Sequence, residues 1–247
     1  RFKVLLSASV PSKDRPKEYL KIPNAQIHIE EAVIGLARNI FQAGGQLVFG
    51  GHPSISPLVA MVATEFNITQ SAEDNIKRLE EQKPIKIFQS KAYEAVLPQE
   101  TSTLYNQGIA TFHWTNSVNG EKFDPSIKSE QCILSLESMR NEMIKEKYDA
   151  MICIGGMEGI EREFKMFMEY HRNTPIFLIK STGGASLSLS ERYLNNTSIR
   201  IFDGKDYKSD NSKIPSFGKE GLFPIPYSLI TGIIVQEILL NSSNNKQ

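Results

Sequence analysis

The sequence predicts an α/β class: a Rossmann-like open parallel sheet with helices on both faces, in a single domain. Three observations predict it. Short apolar segments alternate with helical ones along the chain. Those segments read as apolar on both faces, as strands covered on both sides do. Three of them run into a glycine pair that leads to a helix: Gly50-Gly51, Gly155-Gly156 and Gly183-Gly184.

In chain order, Phe2 to Ser9 alternates, then runs apolar, and predicts a first strand. A proline-punctuated loop follows from Pro11 to Pro23. Ile29, Val33, Leu36, Ala37, Ile40 and Phe41 repeat at helical spacing, so Gln26 to Gln42 is a helix, stopped by Gly44-Gly45. Gln46 to Phe49 is a short buried strand, and Ile55 to Phe66 a second helix. Lys77 to Glu81 extends a polar helix before a strand at Ile85 to Phe88. The long polar stretch Gln89 to Gly108 reads as a functional flap. A strand at Ile109 to Trp114, a turn-rich insertion at Asn116 to Pro125 and a long amphipathic helix at Ser126 to Lys147 come next. Ala150 to Ile154 is the most clearly buried strand, followed by a helix over Glu158 to His171. Pro175 to Ile179 is a strand, Leu187 to Leu194 a helix and Ser198 to Phe202 a last strand. Asp203 to Pro224 is a polar loop and Tyr227 to Leu240 an apolar helix. The domain is expected to span residues 1–240 and to bind a nucleotide, with a disordered tail at 241–247.

Composition narrows the function. Of 247 residues, 40% are hydrophobic and 23% charged, enough to bury a two-sided core without disulfides or metal. A formal net charge of +0 argues against a general nucleic-acid or membrane-surface binder. No apolar run approaches the roughly 20 residues that cross a bilayer. The first one, Val4-Leu5-Leu6, is too short for a signal peptide. The expectation is a cytoplasmic protein. Cys132 and Cys153 read as small buried hydrophobes. His28, His113 and His171 are scattered, so no metal site and no cofactor are expected. No Walker-type Gly-Lys-Ser/Thr occurs, which argues against nucleoside-triphosphate hydrolysis.

The glycine pairs carry the functional reading. In an open parallel sheet such turns share the carboxyl edge, where glycine lets backbone approach a ligand and the next helix offers N–H groups to an anion. The expected ligand-binding residues are Ser7 and Ser9 at the end of the first strand, then Gly50, Gly51, His52 and Ser54. Gly155, Gly156, Met157, Glu158 and Gly159 form the central loop, and Thr182, Gly183 and Gly184 the last. Glu163 falls about one turn past the central loop. A carboxylate there can accept from ribose hydroxyls or support an oxocarbenium-like sugar. Arg140, beside Met139 and Met143 on one helix, can snorkel, pair with Glu137 or Glu142, or turn its fork to a phosphate. Asp14, Arg15 and Lys17 are candidates for a flap, and Trp114 and Tyr105 for stacking on a base or for core packing.

These motifs resemble the SLOG superfamily, which includes the LOG phosphoribohydrolases and the DprA/Smf proteins. Arg140-Asn141-Glu142-Met143 is similar to the LOG Arg-Lys-x-x-Met motif. Gly155-Gly156-Met157-Glu158-Gly159-Ile160-Glu161-Arg162-Glu163 resembles Pro-Gly-Gly-x-Gly-Thr-x-x-Glu. Gly44-Gly45-Gln46-Leu47-Val48-Phe49-Gly50-Gly51 is similar to a Gly-Gly-x-x-Val-x-Gly-Gly segment. The resemblance implies Arg140 and Glu163 as the catalytic pair. Ile154 stands for the motif's proline, Ile160 for its threonine and Asn141 for its lysine, and Glu158 is inserted. Those departures resemble divergent SLOG branches of prokaryotic antiviral defence, which sense nucleotide signals including ADP-ribose derivatives. The expected function is a sensor for such a nucleotide-derived small molecule. The alternative is an N-glycosidic hydrolase of nucleotides. Ile230, Ile233, Ile234, Ile238 and Leu239 make the last helix apolar around much of its girth, and a homodimer or larger homo-oligomer is expected.

Overall fold

In the computed structural model, which describes residues 1–14, 16–67, 82–127, 131–207 and 225–244, the first strand sets both faces. β1 (Lys3–Ser9) sends Val4 and Leu6 into one hydrophobic cluster and Leu5 into the other, all fully buried. The same division recurs on β2 (Gln46–Gly50), β3 (Ile85–Ser90), β5 (Ala150–Gly155) and β6 (Ile176–Ile179). Strands buried on both sides read as continuous apolar runs, the pattern visible in the sequence. With β4 (Ala110–Thr115) and β7 (Ile199–Phe202) they form one parallel seven-stranded sheet, ordered β4-β3-β2-β1-β5-β6-β7. The Rossmann-like α/β expectation holds.

Helices fill both faces. One face carries α1 (Ala25–Gln42), α2 (Ser56–Asn67), α3 (Gln99–Asn106) and α7 (Tyr227–Asn244). The other carries α4 (Ile133–Ile144), α5 (Glu158–Tyr170) and α6 (Gly184–Arg192). Phe164 and Phe167 of α5 are fully buried, each stabilising the fold by about 2–3 kcal/mol. α1 and α7 come close because Gly35 has no side chain: a Cβ there would sit 3.2 Å from Thr231 Oγ1. Asn39 then donates to Ser228 O and Thr231 Oγ1, both at 2.9 Å.

The chain leaves β1 outward through β2, β3 and β4, then returns to β5 on the other side of β1. The strand order therefore reverses between β1 and β5. At such a switch point the connections diverge and open a crevice above the strand ends.

Several expectations change. The stretch Gln89–Gly108 is not a flap: β3 continues to Ser90, a 3₁₀ turn spans Lys91–Val96, and α3 follows. The helix expected from Ser126 starts at Ile133, because Cys132 adopts φ +54° and breaks it. α6 begins at Gly184 rather than Leu187. α7 runs to Asn244, and the Ser242 hydroxyl donates to Asp149 at 2.9 Å. The expected disordered tail therefore does not start at 241. Arg15, the polar helix at 77–81 and most of the loop at 203–224 lie outside the described residues. Ile230, Ile234 and Ile238 are fully buried in their own fold, so they are spent on α1 rather than on a partner.

A candidate nucleotide site at the switch point

β1 and β5 bring together residues far apart in sequence. Ser7 pairs in register with Cys153, and Ser9 with Gly155. Ser7 is buried, and its hydroxyl donates to Glu163 Oε2 at 2.5 Å. Arg140 Nε donates to Glu163 Oε1 at 3.1 Å. The Arg140 and Glu163 side chains are only 15% and 13% exposed. Arg140 thus pairs with Glu163 and not with either neighbour on its own helix. Glu142 instead meets His113 at 2.8 Å.

The guanidinium lies over the first turn of α5. A Cβ on Gly159 would stand 3.0 Å from Arg140 Nη2, so glycine makes room for the arginine. Met157, which precedes α5, offers no side-chain cap. Among the described residues, the N–H groups of Met157 and Gly159 and the terminal nitrogens of Arg140 have no hydrogen-bond partner. Glu163 already meets the Arg140 charge through Nε, and Glu158 and Glu161 lie in the first turn of α5, so an incoming anion would meet the terminal nitrogens and the open N–H groups. Uncapped N–H groups and a free guanidinium edge are together what a phosphate or carboxylate requires.

The glycines divide into two kinds. Gly155 and Gly156 hold φ +61° and +87°, and a Cβ on Gly156 would fall 1.9 Å from Ile160 Cδ1. These two shape the turn and bring its backbone to the crevice. Gly184 packs backbone to backbone on that turn, where its Cβ would be 2.4 Å from Gly156 O. Gly183 is crowded by Ile22. The Thr182 hydroxyl accepts from Gly155 N at 2.8 Å and donates to Ile179 O at 2.6 Å. The third expected loop therefore braces the second from behind. Ser9 supplies its carbonyl to Gly156 N at 2.8 Å, and its hydroxyl has no partner among the described residues.

The loop after β2 closes on itself. Ile55 N and Ser56 N donate to His52 O at 3.0 Å, and the Ser56 hydroxyl does the same. Ser54 N–H donates to His52 Nδ1 at 3.2 Å, which puts the ring proton on Nε2. The Ser54 hydroxyl meets the same nitrogen at 2.8 Å and accepts from Val10 N. Burial first, then the Arg140 charge, push the His52 pKa down to about 4. His52 is a neutral donor beside a cation. Gly50 approaches Met139, where a Cβ would lie 3.3 Å from its Cε, and Gly51 leaves space that Gln89 fills.

Sequence reasoning missed two residues. Glu121, in the turn-rich insertion, caps α4 in place of Cys132: it accepts from Ser135 N at 2.8 Å and Leu134 N at 3.4 Å. These bonds hold its pKa low. Ser135 Oγ accepts in return from Val118 N at 2.9 Å. The second is Gln89. No local pattern signals either contact.

Other features lie apart. Asp14 and Lys17 are exposed, and Tyr19 anchors their loop by donating to Glu161 at 3.4 Å. A cleft of about 590 Å³ is lined by Glu191–Thr197 at the far end of α6. Among the described residues no three His, Cys, Asp or Glu side chains cluster as metal ligands. None of the helices among them is long and apolar enough to cross a membrane.

The SLOG cluster3 family model matches residues 18–209. The chain belongs to the SLOG cluster3 family. The matched segment contains Arg140, Glu163 and all three glycine turns; β1, with Ser7 and Ser9, precedes it. Among solved structures, the X-ray structure of the structural-genomics target TM1055 aligns with a TM-score of 0.48 and 15% identity. The alignment covers 82% of this chain and 92% of that one. No curated protein matches the chain.

Proposed function

We propose that this SLOG protein binds a nucleotide or nucleotide-derived ligand, such as an ADP-ribose-like signal or a nucleoside phosphate, at the β1–β5 crevice, and acts as its sensor. One observation carries the reading: the Arg140 guanidinium, held through Nε by Glu163, lies over the uncapped start of α5 with its terminal nitrogens free. The phosphate goes to that cationic edge. Glu163, oriented by Ser7 and Arg140, accepts from ribose hydroxyls, with Ser9 and the His52 Nε2–H as flanking donors. Gly155 and Gly156 let the chain approach the ligand, while Thr182, Gly183 and Gly184 support the turn.

The alternative is an N-glycosidic hydrolase, favoured by the partly enclosed Arg140–Glu163 pair, whose carboxylate can stabilise a cationic sugar. Against it stands Ile160, 4% exposed and packed against Gly156. It places hydrocarbon where the resembling motif carries a hydroxyl. A homo-oligomer, most simply a two-fold dimer, remains our proposal, now on the exposed Leu229, Leu239 and Leu240 of α7. Incubation of the purified protein with AMP, ADP-ribose and related nucleotides separates the two activities. The sensor retains intact ligand by native mass spectrometry and releases no base. Chromatographic detection of free base, lost in Glu163→Gln, would establish the hydrolase instead.

A further inference from the structure

α7 is a surface helix without a surface helix's charges. Of its 18 residues only Glu237 is charged, and Arg200 Nε donates to it at 3.0 Å. A helix with one face in water normally dresses that face with charged and polar side chains. At about 3.6 residues per turn, Ile230, Ile234 and Ile238 turn to the core, and Leu229, Ile233, Gln236 and Leu240 fall on the opposite side. Leu229 is 55% exposed and Leu240 67%. Their spacing of four, three and four residues is that of a coiled-coil seam. Within that seam the Gln236 carboxamide is exposed and has no partner among the described residues. The apolar surface extends past the helix. The His28 and Tyr227 rings meet with centroids 5.8 Å apart, which brings the start of α1 beside the start of α7, and with it Ile27, 51% exposed.

We propose that a second copy of this chain covers the seam, with α7 packed antiparallel on the partner's α7 about a two-fold axis at the height of Ile234 and Val235. The inference rests on the homo-oligomer proposed above and gives it a surface and a register. In that direction the seam is complementary to itself. Leu229 meets the partner's Leu240, Ile233 meets the partner's Gln236, and the reverse pairs follow by symmetry. The two Gln236 carboxamides stand about 4.5 Å apart along the helices, and each can donate to the other. A lone polar residue in an apolar seam fixes its register, and the symmetry mate supplies the partner that Gln236 lacks in its own chain. Antiparallel packing also sets the positive start of each helix beside the negative end of the other. The scale fits as well. A stable dimer buries about 800 Å² per partner, and an apolar face about 27 Å long, flanked by Ile27 and Leu239, is of that size.

The test weighs the full chain by light scattering at micromolar concentration and low salt, in wild type, Leu229→Glu, Leu240→Lys and the double variant. Both positions are exposed, so circular dichroism should show native helix in every variant. Wild type gives twice the 27.8 kDa chain mass. Each single substitution sets an unpaired charge against a leucine of the partner and gives the monomer mass. The double variant returns to the dimer mass, because antiparallel packing places each new carboxylate opposite the partner's new ammonium group; parallel packing would set like charges together. A double variant that stays monomeric overturns the antiparallel seam. A dimer mass in either single variant overturns α7 as the interface and leaves the oligomer to another surface. A monomeric wild type overturns the homo-oligomer and this inference with it.

Discussion

Glu163 holds two donors at once, Ser7 on one oxygen and Arg140 on the other, and this sets what its replacement does. In Glu163→Gln the amide oxygen can keep Arg140 while its NH₂ turns to the Ser7 oxygen, so shape survives and charge does not. For a sensor we predict that nucleotide binding weakens by roughly 1–3 kcal/mol, read by calorimetry. A hydrolase would lose turnover by on the order of a hundredfold. Gly156 behaves differently. The sequence alone anticipates that Gly156→Val blocks ligand approach with little harm to the fold. The Ile160 contact and φ +87° add a steric and a conformational cost, about 2–4 kcal/mol together. Even Gly156→Ala should therefore lower the melting temperature by several degrees. His52 titrates from 6.5 unfolded to about 4 folded. Its contribution to stability is complete above pH 6.5 and is lost as pH falls toward 4, where the unfolded chain binds the extra proton. His52→Asn should flatten the decline in melting temperature between those pH values. Identical slopes would count against the buried neutral ring.

The strands and the helices α1, α2 and α5 were legible because their signals are local. Apolar spacing outlines α1, and glycine marks the ends of β2 and β5. Arg140 and Glu163 were legible individually. Their contact was not, since it joins two helices through the fold, and neither was the Ser7 hydroxyl that completes it. α3 was hidden because Gln99–Asn106 is short and polar, so no apolar stripe betrayed it. α4 was overextended because helical spacing before Ile133 says nothing of the left-handed Cys132. What starts α4 is Glu121, from a different loop. Its carboxylate is held charged by the bonds it accepts, so that stabilisation is present above the ordinary carboxylate pKa and vanishes as pH falls through the lowered one. Glu121→Ala should lower the melting temperature at pH 7 and converge on wild type once the pH has fallen through that lowered pKa. A constant gap across that range would rule out a charged cap. Because α4 carries Arg140, the same variant should also weaken nucleotide binding.

For the whole molecule, the parallel sheet places the carboxyl ends of β1, β2, β5 and β6, with the glycine turns that follow β2, β5 and β6, at one edge. The chain folds its two halves on either side of β1 and leaves the crevice between them. The brace of Thr182, Gly183 and Gly184 behind the central turn ties β6 and α6 to that edge, so ligand binding there should stiffen both halves together. The proposed dimer has a direct check: light scattering at micromolar concentration should give twice the 27.8 kDa chain mass, and a monomer mass would remove it. The central claim is an anion site made by Arg140 and the start of α5. Calorimetric titration of AMP against adenosine, into wild type and Arg140→Ala, addresses it most directly. The account predicts that wild type binds AMP more tightly than adenosine by about tenfold or more and that Arg140→Ala removes this difference while still binding adenosine. Equal affinities for AMP and adenosine in wild type, or a phosphate preference that survives in Arg140→Ala, would contradict it.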